Sequence, residues 1–217
     1  MSVEPLFSLS RHLIAAAALA LTTQAWAVPD AQFQPVFRVF LQANGGDTAQ
    51  IDKAADGFAA LLKAEPANPV LMAYAGAATS LKANTTMLPW RKLSFAEDGL
   101  GLIDKALAML TPAHDAPIQQ RTPGTLDVRF VAASTFLAVP GFMNRRARGL
   151  KLLDEIMTSA LWREVNPDFR GAVLLRAGKA ALEDKRADDA RKYLNQVIAI
   201  GAPVADEARA LLKGAAQ

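Results

Sequence analysis

Four times along the chain a small residue is followed four positions later by a bulky apolar one, and three positions after that by another apolar or small one. The sets are Ala54, Phe58 and Leu61; Gly99, Ile103 and Ala106; Gly149, Leu153 and Ile156; and Ala190, Leu194 and Val197. Offsets of four and three place all three side chains on one face of an α-helix, whereas a strand would divide them between its two faces. The small residue lets a second helix come close, and the bulky one fills the groove beside it. Pro66, Pro112 and Pro203 forbid continuation after three of the four units. Composition points the same way. Hydrophobic content is 52% and owes much to alanine, while aromatic residues make up only 7%. With few alternating Val/Ile/Thr runs, the chain reads as all-α with closely packed helices.

The individual helices follow from periodicity and punctuation. Residues 31–43 carry Phe33, Val36, Phe37, Phe40 and Leu41 at helical spacing, and Asn44-Gly45-Gly46 stops them. Pro35 suits only a first turn, so the regular helix is expected to begin close to it. Asp47 or Thr48 caps a second helix with Ile51, Ala54, Ala55, Phe58, Leu61 and Leu62 on one face. Asn68 caps a third over 69–82, with Leu71, Met72, Ala75, Ala78 and Thr79 in register. Further helices are expected over 95–110, 125–139, 147–160, 169–184, 187–200 and 206–215. Residues 111–124, punctuated by Pro112, Pro117, Pro123 and Gly124, form the one long connection, of a length that is usually functional or mobile. The other connections are short, which predicts antiparallel neighbours: four pairs and a C-terminal capping helix.

The shared spacing in the second helix of each pair resembles that of the tetratricopeptide-repeat family. Residues 172–203 match best, since Gly178 on the first helix precedes Ala190 by twelve positions. Gly76 takes that part in the second pair, with Gly99 lying 23 residues on, and the first pair matches only in its second helix. The motif starts are 45, 50 and 41 residues apart, longer than the family period of about 34. The resemblance implies a short, degenerate tetratricopeptide-like solenoid that presents a groove to a peptide or protein partner. A plain helical bundle is the alternative, because such spacing occurs on any packed helix.

The N-terminus predicts location. Arg11 and His12 lead into an apolar run over 13–21, and Ala25-Trp26-Ala27 supplies small residues at a cleavage point. That is the pattern of a secretory signal peptide over 1–27, with the mature chain starting at Val28. The apolar run falls short of the roughly 20 residues that a membrane span needs. No twin arginine and no lipid-bearing cysteine is present, so the expected product is exported into a periplasm without a membrane span. Removal of 27 residues from 217 leaves 190, one domain over 28–217. A net charge of +3 is too small to argue for nucleic acid. With no cysteine, disulfides and thiolate metal sites are excluded.

Little in the sequence reads as catalytic, and no cofactor or metal site is expected. His114 lies in the proline-punctuated connection without a nucleophile nearby, and reads as a solvated loop histidine. The acidic doublets Glu97-Asp98, Asp154-Glu155 and Glu183-Asp184 suggest carboxylate pairs for glycan hydrolysis. Adjacent helical residues point about 100° apart, however, so each doublet reads more simply as a solvated face. Two segments share an apolar–proline–aromatic–basic order: 88–92, with Trp90, Arg91 and Lys92, and 139–146, with Phe142, Asn144, Arg145 and Arg146. As equivalent loops of neighbouring pairs they would lie side by side, offering an aromatic anchor and donors for carboxylates. Basic residues at a helix start oppose its dipole, which favours another purpose for Arg145 and Arg146. The leading expectation is a scaffold for an unknown protein or peptide of the cell envelope. A cell-wall glycan-acting enzyme and a helical pocket for a small apolar ligand are the alternatives.

Overall fold

The computed structural model describes residues 29–119 and 122–215, so the signal-peptide reading of 1–27 lies outside the described residues. The fold is helical, with nine α-helices among the described residues: α1 (Asp30–Asn44), α2 (Ile51–Ala64), α3 (Pro69–Leu81), α4 (Pro89–Ala108), α5 (Gly124–Phe136), α6 (Arg146–Thr158), α7 (Pro167–Glu183), α8 (Ala187–Ile200) and α9 (Ala205–Ala215). Side-chain caps fix several starts by satisfying N–H groups that have no partner within the helix. Asn68 Oδ1 accepts from the amides of Val70 and Leu71 at 3.0 and 3.2 Å. Asn166 Oδ1 accepts from Phe169 at 2.8 Å. Asp47 caps a 3-10 turn, Thr48–Gln50, that runs straight into α2.

Successive helices pack on one another, most extensively α3 on α4, α7 on α8 and α5 on α6, and α3 also meets α2 and α5. The recurrent small-and-bulky positions lie at these contacts, all of them buried except half-buried Leu61. Gly76 and Gly99 show why size matters. A Cβ on Gly99 would stand 2.4 Å from the Gly76 carbonyl oxygen, and one on Gly76 would stand 2.6 Å from that of Gly99. Only hydrogen fits on either side. Apolar side chains from α1 through α7 form the main core, and a smaller cluster gathers Leu174, Leu175, Leu194, Val197, Ala202 and Ala208. Met157, Trp162 and Tyr193 touch both.

Several expectations are corrected. α1 starts at Asp30, so Pro35 sits inside the helix rather than near its beginning. The extra turn brings Phe33 into full burial against Phe58 and Tyr74, at 5.8 and 5.7 Å between ring centroids. That packing outweighs one missing backbone hydrogen bond. α3 has no polar face: every residue from Pro69 to Ala78 is buried, as befits a helix with neighbours on several sides. α4 begins at Pro89 instead of residue 95, and α5 ends at Phe136 instead of 139. The connection 111–124 holds a 3-10 turn, Pro112–Asp115, and a two-stranded antiparallel ribbon of Pro117–Gln119 with Thr122–Pro123. His114 is buried, not solvated. Its Nδ1 accepts from the Thr111 amide at 3.0 Å and closes a capping box on that turn.

Candidate functional site

A groove of about 1020 Å³ is lined by residues of α1, α3, α4, α5 and α7. Its lining repeats one helical register. α1 contributes Phe37, Phe40, Leu41 and Asn44; α4 adds Pro89, Lys92, Leu93 and Ala96; α7 supplies Ala172, Leu175, Arg176 and Lys179. Each set has offsets of 0, 3, 4 and 7, which form one stripe of a helix. Tyr74, Ala77, Ser80 and Leu81 of α3, with Phe130, Val131, Ser134 and Thr135 of α5, complete the middle.

The floor is aromatic. Tyr74 stacks on Phe58 at 5.1 Å between centroids and meets Phe37 and Phe40 edge-on at 5.5 and 5.4 Å. Such interlocked rings hold the floor rigid. Beneath it the Tyr74 hydroxyl donates to Asp127 Oδ1 on α5. Burial raises the Asp127 carboxyl to about 7, against which the Tyr74 hydrogen bond works. Burial, then the neighbouring Asp127 charge, pushes the Tyr74 phenol well above its ordinary value. The hydrogen bond joins two buried side chains and ties α3 to α5.

The charges lining the groove have one sign. Lys92, Arg176 and Lys179 line it, and none of the described lining residues is acidic. Arg176 is nearly buried, with 16% of its side chain exposed, and reaches Glu183 at 3.4 Å. Lys179 pairs with Glu207 at 2.5 Å. Lys92 makes no ion pair among the described residues.

The residues singled out from sequence divide sharply. Lys92 and Phe142 both line the groove, and Phe142 is 72% exposed. Trp90 is 66% exposed and lies with Arg91 between the lining positions Pro89 and Lys92, so both project beside the groove rather than into it. Segment 88–92 is not a loop. Pro89 is the first residue of α4, where its missing N–H costs nothing. Segment 139–146 is a true turn, with Asn144 left-handed at φ 54° and its side-chain amide donating to the Phe142 carbonyl at 3.2 Å. Arg145 and Arg146 are engaged within the chain. Arg145 pairs with Asp104 at 3.0 Å and lies over the Phe136 ring. Arg146 donates to Asp184, Glu183 and the Ala180 carbonyl, all at the C-terminal end of α7.

Of the acidic doublets, Glu155 binds Arg129 and Lys151, and Glu183 and Asp184 bind Arg146. Among the described residues no group of three His, Cys, Asp or Glu side chains could hold a metal, and no helix is long and apolar enough to cross a membrane. Sequence reasoning missed Tyr74, Asp127 and Arg176. Asp127 carried a signal: it is a carboxylate between Leu126 and Val128 on a helix apolar on nearly every side. No protein-family model, curated protein or solved structure matches the chain.

Proposed function

We propose that this chain is an exported, periplasmic scaffold that binds a protein or peptide segment in the groove, without catalysis. In this reading its helix pairs stack as a short tetratricopeptide-like solenoid, with α9 as cap and the mature chain starting at Val28. One observation carries it: the exposed large apolar side chains gather at one place. Leu41, Leu93 and Phe142 line the groove, and Met87, Leu88 and Trp90 adjoin its wall. Exposed apolar surface concentrated on one concavity is the mark of a docking site. The cationic lining adds a preference for apolar segments flanked by acidic residues.

Selection from a displayed peptide library tests this. Apolar sequences with acidic flanks are expected to be enriched, and Leu41→Glu should abolish the enrichment while leaving the melting curve in place, since Leu41 is half exposed. Equal enrichment by both proteins removes the groove as the docking site. A second reading, a small apolar ligand, is favoured by a groove volume close to the roughly 300–1,000 Å³ of small-molecule sites. Saturable binding of a small apolar dye, with no peptide enriched, would select it. N-terminal sequencing of exported protein tests the start at Val28.

A further inference from the structure

The corner where α3 gives way to α4 exposes side chains beyond those that line the groove. Residues 87–94 are exposed without interruption. Met87 is 87% exposed, Trp90 66%, and Leu88 and Leu93 40% each. The corner is nonetheless fixed. The Leu88 amide donates to Thr86 Oγ1 at 3.2 Å, the Leu88 carbonyl accepts from Lys92 at 3.0 Å, and Pro89 locks the first helical residue. Large apolar side chains are therefore held out in solvent by a rigid backbone, an arrangement that folding alone does not reward.

Charge identifies what meets them. No Asp or Glu occurs from residue 66 to residue 96. The basic residues of that stretch are Lys82, Arg91 and Lys92. Asp52 neutralises Lys82 at 3.2 Å, while Arg91 and Lys92, beside Trp90, make no ion pair among the described residues. Exposed Met87, Leu88 and Trp90 next to two cations that make no ion pair among the described residues match the chemistry of a lipid surface. Indole rings settle at the headgroup level, aliphatic side chains enter the acyl boundary, and basic side chains reach phosphates.

We propose that this corner docks the protein reversibly on an anionic lipid bilayer, with Met87, Leu88 and Trp90 entering the interface and Arg91 and Lys92 contacting lipid phosphates. One short segment with two cations gives weak, salt-sensitive binding, since stable anchoring takes stronger or combined signals. Lys92 also lines the groove, whereas Met87, Leu88, Trp90 and Arg91 do not.

The experiment uses residues 28–217, which contain every described helix and leave out the apolar run 13–21 that would itself bind lipid. In a Trp162→Phe background Trp90 is the sole tryptophan. Phosphatidylglycerol-containing vesicles should shift Trp90 emission to the blue and carry the protein in flotation, and high salt should reverse both. Met87→Ser with Trp90→Ser should weaken flotation about tenfold or more. Arg91→Gln with Lys92→Gln should weaken it and remove most of the salt dependence. Leu41→Glu, which alters the groove, should float like the parent, separating this surface from the groove reading. Melting curves should match throughout, because all the altered corner residues are exposed. Unchanged Trp90 emission on anionic vesicles, equal flotation of the Met87/Trp90 variant, or equal binding to neutral phosphatidylcholine vesicles would each overturn the proposal.

Discussion

The Tyr74 hydroxyl donates a 2.9 Å hydrogen bond to Asp127 Oδ1, tying α3 to α5 through two buried side chains. Burial makes the charged carboxylate costly there, so Asp127 holds its proton up to about 7 where the ordinary value is 3.8. Between those values the folded protein binds a proton that the unfolded chain has released. This contribution to stability is therefore complete below about pH 4, lost as pH rises toward 7, and constant above. Its ceiling is about 4 kcal/mol, from the size of the rise. Asp127→Asn, which keeps an acceptor for Tyr74, should gain stability at pH 8 relative to the parent and lose that advantage at pH 4. Denaturant melts of both proteins at the two pH values check it; parallel pH profiles would refute it.

The approach of α3 to α4 makes a paired test. Gly99→Ala should destabilise by about 1–3 kcal/mol, because a Cβ there meets backbone atoms of Gly76 and Ser80 that have nowhere to go. Gly101, two residues further along the same helix, has open space around its Cβ position. Gly101→Ala should therefore stabilise by about 0.5–1 kcal/mol through helix propensity. Melting curves showing the same sign for both would mean that the glycines owe nothing to close packing.

Much of this fold could be read from residue order because its rules are local. Asn68 and Asn166 announce their helices through caps made within three residues, and the small-and-bulky spacing marks the faces that become buried. Pro89 shows where local reading stops: proline suits both a loop and the first residue of a helix, and sequence alone favoured the loop. The charged residues failed for a different reason. Arg145 meets Asp104 from 41 residues away, and Arg146 meets Asp184 from 38. Nothing near either arginine reveals that it is engaged. The groove is likewise a property of several helices together. Its stripes at offsets of 0, 3, 4 and 7 are visible in α1, α4 and α7 separately, but helical spacing within one helix does not show that the three stripes meet.

Arg146 ties the start of α6 to the end of α7 electrostatically. From the start of α6 it reaches carboxylates and a carbonyl at the end of α7, where the helix dipole also favours a cation. Arg146→Met keeps the aliphatic stem and removes the donors. Partial exposure screens the pair, so a loss of about 1 kcal/mol is expected. Arg146→Lys should recover less than half, lacking the planar fork that serves several acceptors at once. A calorimetric scan of the three proteins reads this directly, and a methionine variant as stable as the parent would mean that the contacts contribute nothing.

Removing the C-terminal helices in two stages should produce losses of different kinds. α9 covers the smaller apolar cluster, where Ala208 packs with Leu174 and Leu194. A chain ending at residue 203 should melt lower yet still in one transition, since the main core is left whole. α7 is different. Its Val173, Ala177 and Ala180 belong to the main core, while Leu174 and Leu175 on the same helix belong to the smaller one. A chain ending at residue 166 therefore loses the element shared by both, and its exposed core face should broaden the transition as well as lower it. Thermal melts followed by circular dichroism distinguish the stages. If the chain ending at 166 keeps the parent's midpoint and sharpness, then α7 to α9 fold as an independent unit and the two cores are only neighbours.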